Sequence, residues 1–462
     1  MVTGDEITGR PAPGKKERDW TQGSIVGNLL SLSWPVIISE LLNIVGPTID
    51  LIWVGRLGQA AVAGVGVAGT AVMIVMSFLI GLSMGARALV ARYFGAGDRQ
   101  MAGFVAQQAF VFSGAFALVM AVIGILLAER FLVLLGLEPE VVGEGAGYLR
   151  IMLVGTVIIA FRLVTETVMQ ASGDTRTPLR ISVLYRLFHV ALVPFLIFGW
   201  WVFPRLGVNG AAVGNLFSQG LALGLGLWYL MTGRTRLRLT LRGLRVAPRL
   251  IWRIVRIGLP AAGSILQGDV AQLVIMWIMA SFGTTAVAAH SIVRRVEMVL
   301  FMPAAGLGMG SGVLAGQNLG AGQPGRAERS GWVAAGVATA TMVAGALVML
   351  VWAEAIVGIF NTEPGLVATA SAFLRIATLS YAVMGATIVF MLTLNGVGDT
   401  VPPLLILLGS TWLVSVPAAV VVGRFTAGGV LGVRWALASA MVVSTLAFIA
   451  YFRLGKWKWK NV

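Results

Sequence analysis

The stretch GLSMGARALVARYFGAG at 81–97 recurs as GLGMGSGVLAGQNLGAG at 306–322, and it determines how the rest of the chain is interpreted. The two copies align at an offset of 225 residues, with identical residues at Gly81, Leu82, Met84 and Gly85 and at Gly95–Gly97. The same offset pairs Pro35 with Pro260. A duplicated apolar chain predicts two similar halves that move against each other around a central site.

The composition is that of a membrane protein. The 462 residues are 58% hydrophobic and 11% charged, with a mean hydropathy of +0.89, whereas soluble domains carry about 25% charged residues. Apolar segments long enough to cross the bilayer recur along the chain. They lack the alternation of apolar and polar residues that is typical of β-barrel strands. Because backbone N–H and C=O groups in lipid must hydrogen-bond within the protein, these segments are expected to be helices. We predict an all-α polytopic membrane protein of about 12 transmembrane helices. Their expected starts are near Ile25, Ala60, Ala102, Gly145, Pro178, Gly207, Ile257, Thr284, Ser330, Val367, Pro402 and Gly432.

Six helices per half is an even number, so both halves begin on the same side of the membrane. The sequence therefore predicts two six-helix lobes related by a pseudo-two-fold axis along the membrane normal. The expected divisions are a cytoplasmic N-terminal tail (1–24), an N-terminal lobe (25–232), a basic cytoplasmic linker (233–256) and a C-terminal lobe with a short basic tail (257–462).

The positive charge is concentrated in three places. The net charge of +15 comes from 34 Lys and Arg against 19 Asp and Glu. The clustered residues are Lys15, Lys16 and Arg18, then Arg234, Arg236, Arg238, Arg242, Arg245, Arg249, Arg253 and Arg256, and finally Lys456, Lys458 and Lys460. The positive-inside rule then predicts a multi-pass protein of the inner (cytoplasmic) membrane with both termini in the cytoplasm. Basic patches can also bind nucleic acid, but these residues lie where the positive-inside rule places positive charge, which explains them without nucleic acid. We expect a monomer whose partners are membrane lipids and small solutes, with no nucleic acid.

Several chemistries are excluded. The chain has no cysteine and two histidines, His189 and His290, which excludes thiol chemistry and a His-rich metal centre. A phosphate-binding Walker loop is also absent from the sequence, so ATP hydrolysis is not expected. We predict a transporter rather than an enzyme, with no metal site and no cofactor beyond H⁺ or Na⁺ as coupling ion. An intramembrane enzyme is the distant alternative.

Polar residues form a stripe on the first predicted helix. Glu40, Asn43, Pro47 and Asp50 are spaced i, i+3, i+7 and i+10 and share one helix face. Intramembrane carboxylates are expensive and mark ion pathways, or are held structurally by a neighbouring helix. We predict that Glu40 and Asp50 couple a cation, that Asn43 lines a substrate cavity, and that Pro35 and Pro47 act as hinges.

A second polar cluster lies in the other half. Asp269 and Glu297 are each 14 residues from the turn at Gly283, and Gln272 and Arg294 are each 11 residues from it. In a helical hairpin each pair lies at one depth. This spacing predicts a cation-coupling site at Asp269 and Glu297, with Gln272 and Arg294 lining the substrate cavity. A salt-bridged structural network fits equally well.

A third stripe consists of Arg162, Glu166 and Gln170 on the fourth span. Glu166 is a candidate for the substrate cavity. Its i,i+4 pairing with Arg162 also has a purely structural interpretation.

In order along the chain, these motifs resemble the multidrug and toxic compound extrusion (MATE) family. The matching segments are VGRLG at 54–58 after Asp50, GAG at 95–97, GDTRTP at 173–178, AAH at 288–290, QNLGAG at 317–322 and GDTVPP at 398–403. The resemblance implies a V-shaped pair of six-helix lobes. It also implies antiport, in which inward H⁺ or Na⁺ flow drives export of amphipathic, often cationic compounds. In that scheme Asp50 couples the cation and the first helix bends at Pro35. A lipid-linked precursor flippase of the same superfamily is the alternative.

One departure from the family concerns the fifth span. Where many members have Asn-x-x-x-Asp-Pro, this chain has His189 and Val193 before Pro194. A Na⁺ site there loses oxygen ligands, which hard cations prefer. An imidazole beside a carboxylate suits protons, because it titrates near neutral pH. We therefore add His189 to the coupling residues and favour H⁺, with the C-terminal acids as the alternative site.

Overall fold

The computed structural model describes residues 18–240, 245–426 and 428–460, and the regular structure within these ranges is helical. Most of the predicted N-terminal tail (residues 1–17) and part of the predicted linker (241–244) lie outside the described residues. The all-α prediction is confirmed for the described part of the chain.

The first half of the described chain supplies six spans. Its helices are α1 (Ile25–Val54), α2 (Gln59–Gly95), α3 (Arg99–Leu134), α4 (Pro139–Val154), α5 (Thr156–Ala171), α6 (Arg176–Phe198) and α7 (Val208–Met231). Helices α4 and α5 together form one span that is bent by 46°. The break falls at Gly155, between the two helices.

The second half repeats this pattern. Its helices are α8 (Pro248–Ala280), α9 (Thr284–Gly320), α10 (Pro324–Val351), α11 (Ala353–Gly358), α12 (Pro364–Val397), α13 (Val401–Leu408), α14 (Val416–Phe425) and α15 (Gly429–Leu454). A π-helical segment, Gly409–Ser415, joins α13 to α14, so that they form one span. In the described residues, 11 helices are long and apolar enough to cross a membrane, or 12 with the bent pair counted as one span. The predicted number of helices is therefore confirmed.

The predicted starts are wrong where a helix begins outside the apolar region. Helix α8 begins at Pro248 rather than near Ile257. Its first turns contain arginines, which lower the local hydropathy, so the apolar segment starts later than the helix. Helix α4 likewise begins at Pro139 rather than near Gly145, since its first turn is acidic. Residues 248–256 of the predicted linker are accordingly helical.

The described chain divides into two compact units, and the division cuts through α1 and α8. The N-lobe contains Ile38–Gly258, and the C-lobe contains Asp19–Ile37 together with the residues from Leu259 onward. The predicted boundaries at 25, 232 and 257 are therefore revised. The start of α1 packs within the C-lobe, and the start of α8 packs within the N-lobe.

The repeated glycine motif explains this exchange. Within the C-lobe, a Cβ atom on Gly306 would overlap Ile37, and one on Gly310 would overlap Ser33. Small residues allow helix backbones in a membrane to approach this closely. The motif on α9 is therefore the docking surface for the first part of α1.

The N-lobe has the equivalent contact. A Cβ atom on Gly85 of α2 would overlap the carbonyl oxygen of Ile254, and one on Gly258 would lie 2.6 Å from Cα of Leu82. The 225-residue offset relates Gly85 to Gly310 and Gly258 to Ser33. Each copy of the motif thus packs against the first helix of the other repeat.

Candidate functional site

Helix α1 carries the predicted stripe and both predicted hinges. It is helical throughout Ile25–Val54, including Pro35 and Pro47. Pro35 is buried and lies two residues before the lobe boundary, whereas Pro47 is exposed on the N-lobe part of the helix. Bending of α1 at either proline stays a prediction.

Asp50 and His189 form a buried pair between α1 and α6. His189 Nε2 lies 2.9 Å from Asp50 Oδ1, and the two residues are 1% and 7% exposed, respectively. Tyr148 of α4 interacts electrostatically with Asp50. Val193, one turn after His189, is buried in an apolar cluster and supplies no oxygen ligand. The pair can hold one proton in apolar surroundings.

Glu40 and Asn43 continue the α1 stripe toward α6. Asn43 Nδ2 donates to Glu40 Oε2 at 3.4 Å, and the Tyr185 hydroxyl donates to Asn43 Oδ1 at 3.0 Å. Arg186 Nη2 in turn donates to the Tyr185 hydroxyl oxygen at 3.2 Å. The predicted stripe is therefore one side of a hydrogen-bonded contact between α1 and α6.

Glu166 is engaged on both carboxylate oxygens. Arg162 Nη1 donates to Glu166 Oε2 at 2.8 Å, and Gln170 Nε2 donates to Glu166 Oε1 at 3.0 Å. Arg162 Nε also donates to Gln219 Oε1 of α7 at 2.7 Å, and Arg87 Nη2 of α2 donates to Gln170 Oε1 at 3.0 Å. The predicted i,i+4 pair thus exists, and Glu166 neutralises Arg162.

A cavity of about 170 Å³ opens within the N-lobe beside this network. Its lining residues are Asn43, Pro47, Met76, Ile159, Arg162, Tyr185, Arg186, His189, Asn215 and Gln219. Asn43 is among these lining residues, whereas Glu166 lines a smaller cavity of about 20 Å³, and a substrate role for either residue stays a prediction. The larger lining contains two arginines and a histidine, and in the described residues it contains no carboxylate. The surface of this cavity therefore presents guanidinium and imidazole groups rather than carboxylates.

In the C-lobe, Glu297 is surrounded by donors from three helices. Its Oε1 accepts from Arg434 Nη2 of α15 at 3.1 Å and from the Tyr381 hydroxyl of α12 at 3.0 Å. Its Oε2 accepts from Arg294 Nη1 at 3.2 Å. The side chains of Glu297 and Arg434 are 15% and 4% exposed. This carboxylate therefore ties α9, α12 and α15 together.

The remaining predicted C-lobe residues are dispersed. The amide of Gln272 lies 3.0 Å from His290 Nε2, and His290 Nδ1 lies 3.3 Å from Arg434 Nη1. Arg294 is half exposed, and Asp269 is exposed on α8. The hydrogen bonds described for Glu297 come from Arg294, Tyr381 and Arg434. Asp269 and Glu297 thus occupy different environments and are not an equivalent pair of carboxylates.

Sequence reasoning missed five residues that organise the two networks: Arg87, Tyr185, Arg186, Tyr381 and Arg434. A signal existed for the arginines, because a cation inside an apolar span is costly and functional by default. The tyrosines carried no such signal. Within the described residues no group of three His, Asp or Glu side chains is arranged to hold a metal ion.

Comparison with known proteins agrees with this architecture. The chain is 27% identical over 434 residues to the probable multidrug resistance protein YoeA of Bacillus subtilis, covering 93% of each chain. It is also 27% identical to a protein of Shewanella oneidensis named FAD transporter, covering 96% of this chain and 97% of that one. A solved structure described as MATE in the bent conformation has a TM-score of 0.89 at 22% identity, covering 95% and 98% of the two chains.

The match to a family profile is the most direct of these comparisons. The MatE family profile matches residues 35–195 and 260–421, so the two matched segments begin 225 residues apart. They start at Pro35 and Pro260, the proline pair of the internal repeat. The chain therefore belongs to the MatE family of multidrug and toxic compound extrusion transporters, a family of carriers and not of enzymes.

Proposed function

We propose that the protein exports small amphipathic organic compounds across the cytoplasmic membrane in exchange for protons, by alternating access. The observation that carries the proposal is the buried Asp50–His189 pair, with 2.9 Å between Nε2 and Oδ1. Family membership supports transport of small molecules. The names of the relatives cover both multidrug resistance and FAD transport, so they do not single out one substrate.

The pair is suited to coupling because it changes charge by taking up one proton. With a neutral imidazole the pair carries one negative charge, and a proton on either member makes it neutral. A protonated Asp50 no longer needs the His189 hydrogen bond to satisfy a buried charge, so α6 holds α1 less firmly. Pro47, three residues earlier, removes a backbone hydrogen bond from the same stretch of α1. Protonation therefore favours rearrangement of α1.

Protons can reach this site from outside. Asp50 precedes the turn at Gly58 by eight residues, which is about 12 Å along a helix. That turn is extracellular if the positively charged ends of the chain are cytoplasmic. Such a depth allows an external proton to arrive through water, and release to the cytoplasm would then reset α1.

Two considerations favour protons at Asp50 over the alternatives. A Na⁺ site would need several oxygen ligands, and at the two family positions the chain offers the imidazole of His189 and the buried apolar side chain of Val193. In the C-lobe, Glu297 already accepts three hydrogen bonds. A cation bound there would have to displace those donors.

We also propose that the protein is a monomer surrounded by lipid, that no cofactor beyond the proton takes part, and that both termini and the arginine-rich linker are cytoplasmic. The distribution of Lys and Arg supports the orientation.

Dye efflux from intact cells tests the exporter function. A host lacking its own efflux pumps would express the wild type or Asp50→Asn at matched membrane levels. We expect loaded fluorescent dyes to leave the wild-type cells faster than vector controls, and the Asp50→Asn cells at the vector rate. Wild-type efflux equal to that of the vector, or full efflux by Asp50→Asn, would refute the proposal.

A further inference from the structure

We propose that the 170 Å³ cavity of the N-lobe binds an oxyanion group of the transported compound, a carboxylate or a phosphate, and that Arg186 is the residue that binds it. The inference rests on the proposed function, because it concerns the substrate of that carrier. The substrate would then be an anionic or zwitterionic amphiphile rather than a simple cation.

The charged side chains that line the cavity differ in whether they have a carboxylate partner. Arg162, Arg186 and His189 line it, and the carboxylates that neutralise neighbouring cations lie behind the lining. Asp50 pairs with His189, and Glu166 pairs with Arg162 at 2.8 Å. Arg162 therefore has a carboxylate partner and His189 is hydrogen-bonded to Asp50, whereas Arg186 lines the cavity without a carboxylate partner among the described residues.

Arg186 has a buried guanidinium group without a counter-ion among the described residues. It is 7% exposed, and among the described residues it forms no ion pair with a carboxylate. Its described partner is Tyr185, whose hydroxyl accepts from Nη2 at 3.2 Å and whose ring centre lies 5.0 Å from the guanidinium carbon. Its Nε has no hydrogen-bond partner. A buried guanidinium without a counter-ion is costly, and an oxyanion entering the cavity supplies one.

A neighbouring glycine shows that the guanidinium is fitted to its place. A Cβ atom on Gly46 of α1 would overlap Arg186 Nη1. The guanidinium therefore rests against the α1 backbone next to Pro47. Rearrangement of α1 at Pro47 would remove the wall behind Arg186, so release of the anion and movement of α1 are linked mechanically.

The size of the cavity agrees with this role. A volume of about 170 Å³ corresponds to roughly six water molecules at about 30 Å³ each. That space takes a carboxylate or a phosphate group while the apolar remainder of the molecule lies outside. Asn215 and Gln219 on α7 line the same space. Gln219 Nε2 donates to Asn215 Oδ1 at 2.7 Å, and the Asn215 amide nitrogen can donate to an oxyanion.

Two dyes that differ at one group test the proposal. Rhodamine B carries a free carboxylate, and its ethyl ester has the same ring system without that charge. Binding to the full-length protein in detergent, followed by fluorescence anisotropy, would be measured for both dyes. We expect the wild type to bind the acid at least about tenfold more tightly than the ester, the range of a charge-assisted hydrogen bond.

Variants locate the binding group. We expect Arg186→Gln to lose about tenfold in affinity for the acid and little for the ester, and Arg186→Lys to retain part of the preference. Arg150→Gln, which alters a half-exposed arginine outside the cavity, is the matched control and should bind both dyes like the wild type.

Three results would overturn the inference. These are the absence of wild-type binding of the acid dye, equal or tighter binding of the ester, and an unchanged preference in Arg186→Gln. Displacement of the acid dye by short-chain phosphatidylglycerol but not by free benzoate would assign the site to a lipid headgroup and contradict a substrate anion. The binding assay in detergent involves no ion gradient. Failure of proton coupling in liposomes would therefore refute the proposed function and leave this binding result unaffected.

Discussion

His189 Nε2 lies 2.9 Å from Asp50 Oδ1, and this contact joins two helices across 139 residues of sequence. One turn beyond His189 on the same helix lies Val193, which is fully buried. At these two positions the chain offers an imidazole and an apolar side chain instead of carboxylate or amide oxygens. The result is a site that can hold a proton and offers little to a hard cation.

His189→Gln should slow transport and flatten its pH dependence. Glutamine can still donate a hydrogen bond to Asp50, but it cannot take up a proton between pH 5 and 8 as an imidazole can. The measurement is the initial rate of dye transport by purified protein in liposomes across that pH range. His290→Gln in the C-lobe is the control and should keep the wild-type profile. An unchanged profile in His189→Gln would remove His189 from the coupling site.

Gly85→Ala should destabilise the N-lobe. Its Cβ atom would overlap the backbone carbonyl of Ile254, which cannot move aside like a flexible side chain. We expect a cost of about 1–3 kcal/mol, seen as a lower midpoint of thermal unfolding in detergent.

Gly66→Ala is the matched control on the same helix, since nothing lies within 4 Å of the added atom. It should be neutral, or stabilising by about 0.5–1 kcal/mol. Equal midpoints for both variants would show that the glycine motif does not hold the exchanged helices.

Glu297→Gln should lower stability while leaving transport dependent on a proton gradient. The change leaves Arg434, which is 4% exposed, without its carboxylate, and breaking a buried pair in this way costs about 3–5 kcal/mol in soluble proteins. Thermal unfolding and liposome transport would be measured together. Glu129→Gln is the control, because Glu129 and Arg150 form an exposed pair with 3.6 Å between their charged atoms, a contact worth about 0–1 kcal/mol. If Glu297→Gln had normal thermal stability but its transport no longer depended on a proton gradient, the coupling site would have to be placed in the C-lobe.

Thr240→Cys tests the orientation. The chain has no cysteine, so one introduced thiol in the arginine-rich linker reports its own location. A membrane-impermeant maleimide should label it in everted vesicles and not in intact cells. Labelling in intact cells would place the linker outside and reverse the proposed topology.

The helical architecture was accessible from the sequence because its signals are local. Apolar segments and the repeated glycine motif predict spans and two halves without knowledge of their contacts. The exchange of the first helices was not predictable in this way. It depends on which surface receives Ser33 and Ile37, and chain order alone assigns the first part of α1 to the wrong lobe.

The site was accessible only in part, for the same physical reason. Asp50 and Asn43 lie on one polar helix face, a pattern visible in the sequence. Their partners His189 and Tyr185 come from a helix about 140 residues away, and packing decides which side chains meet. Asp269 is exposed and Glu297 is largely buried, because equal distance from a turn predicts depth but not which way a side chain faces.

The most direct test of proton coupling at Asp50 is transport in proteoliposomes under one gradient at a time. We predict that an imposed proton gradient, at equal Na⁺ on both sides, drives substrate movement by the wild type and not by Asp50→Asn. At equal pH, a Na⁺ gradient should drive none. Substrate movement driven by the Na⁺ gradient at equal pH, and lost in Asp269→Asn, would contradict the account and place the coupling site in the C-lobe.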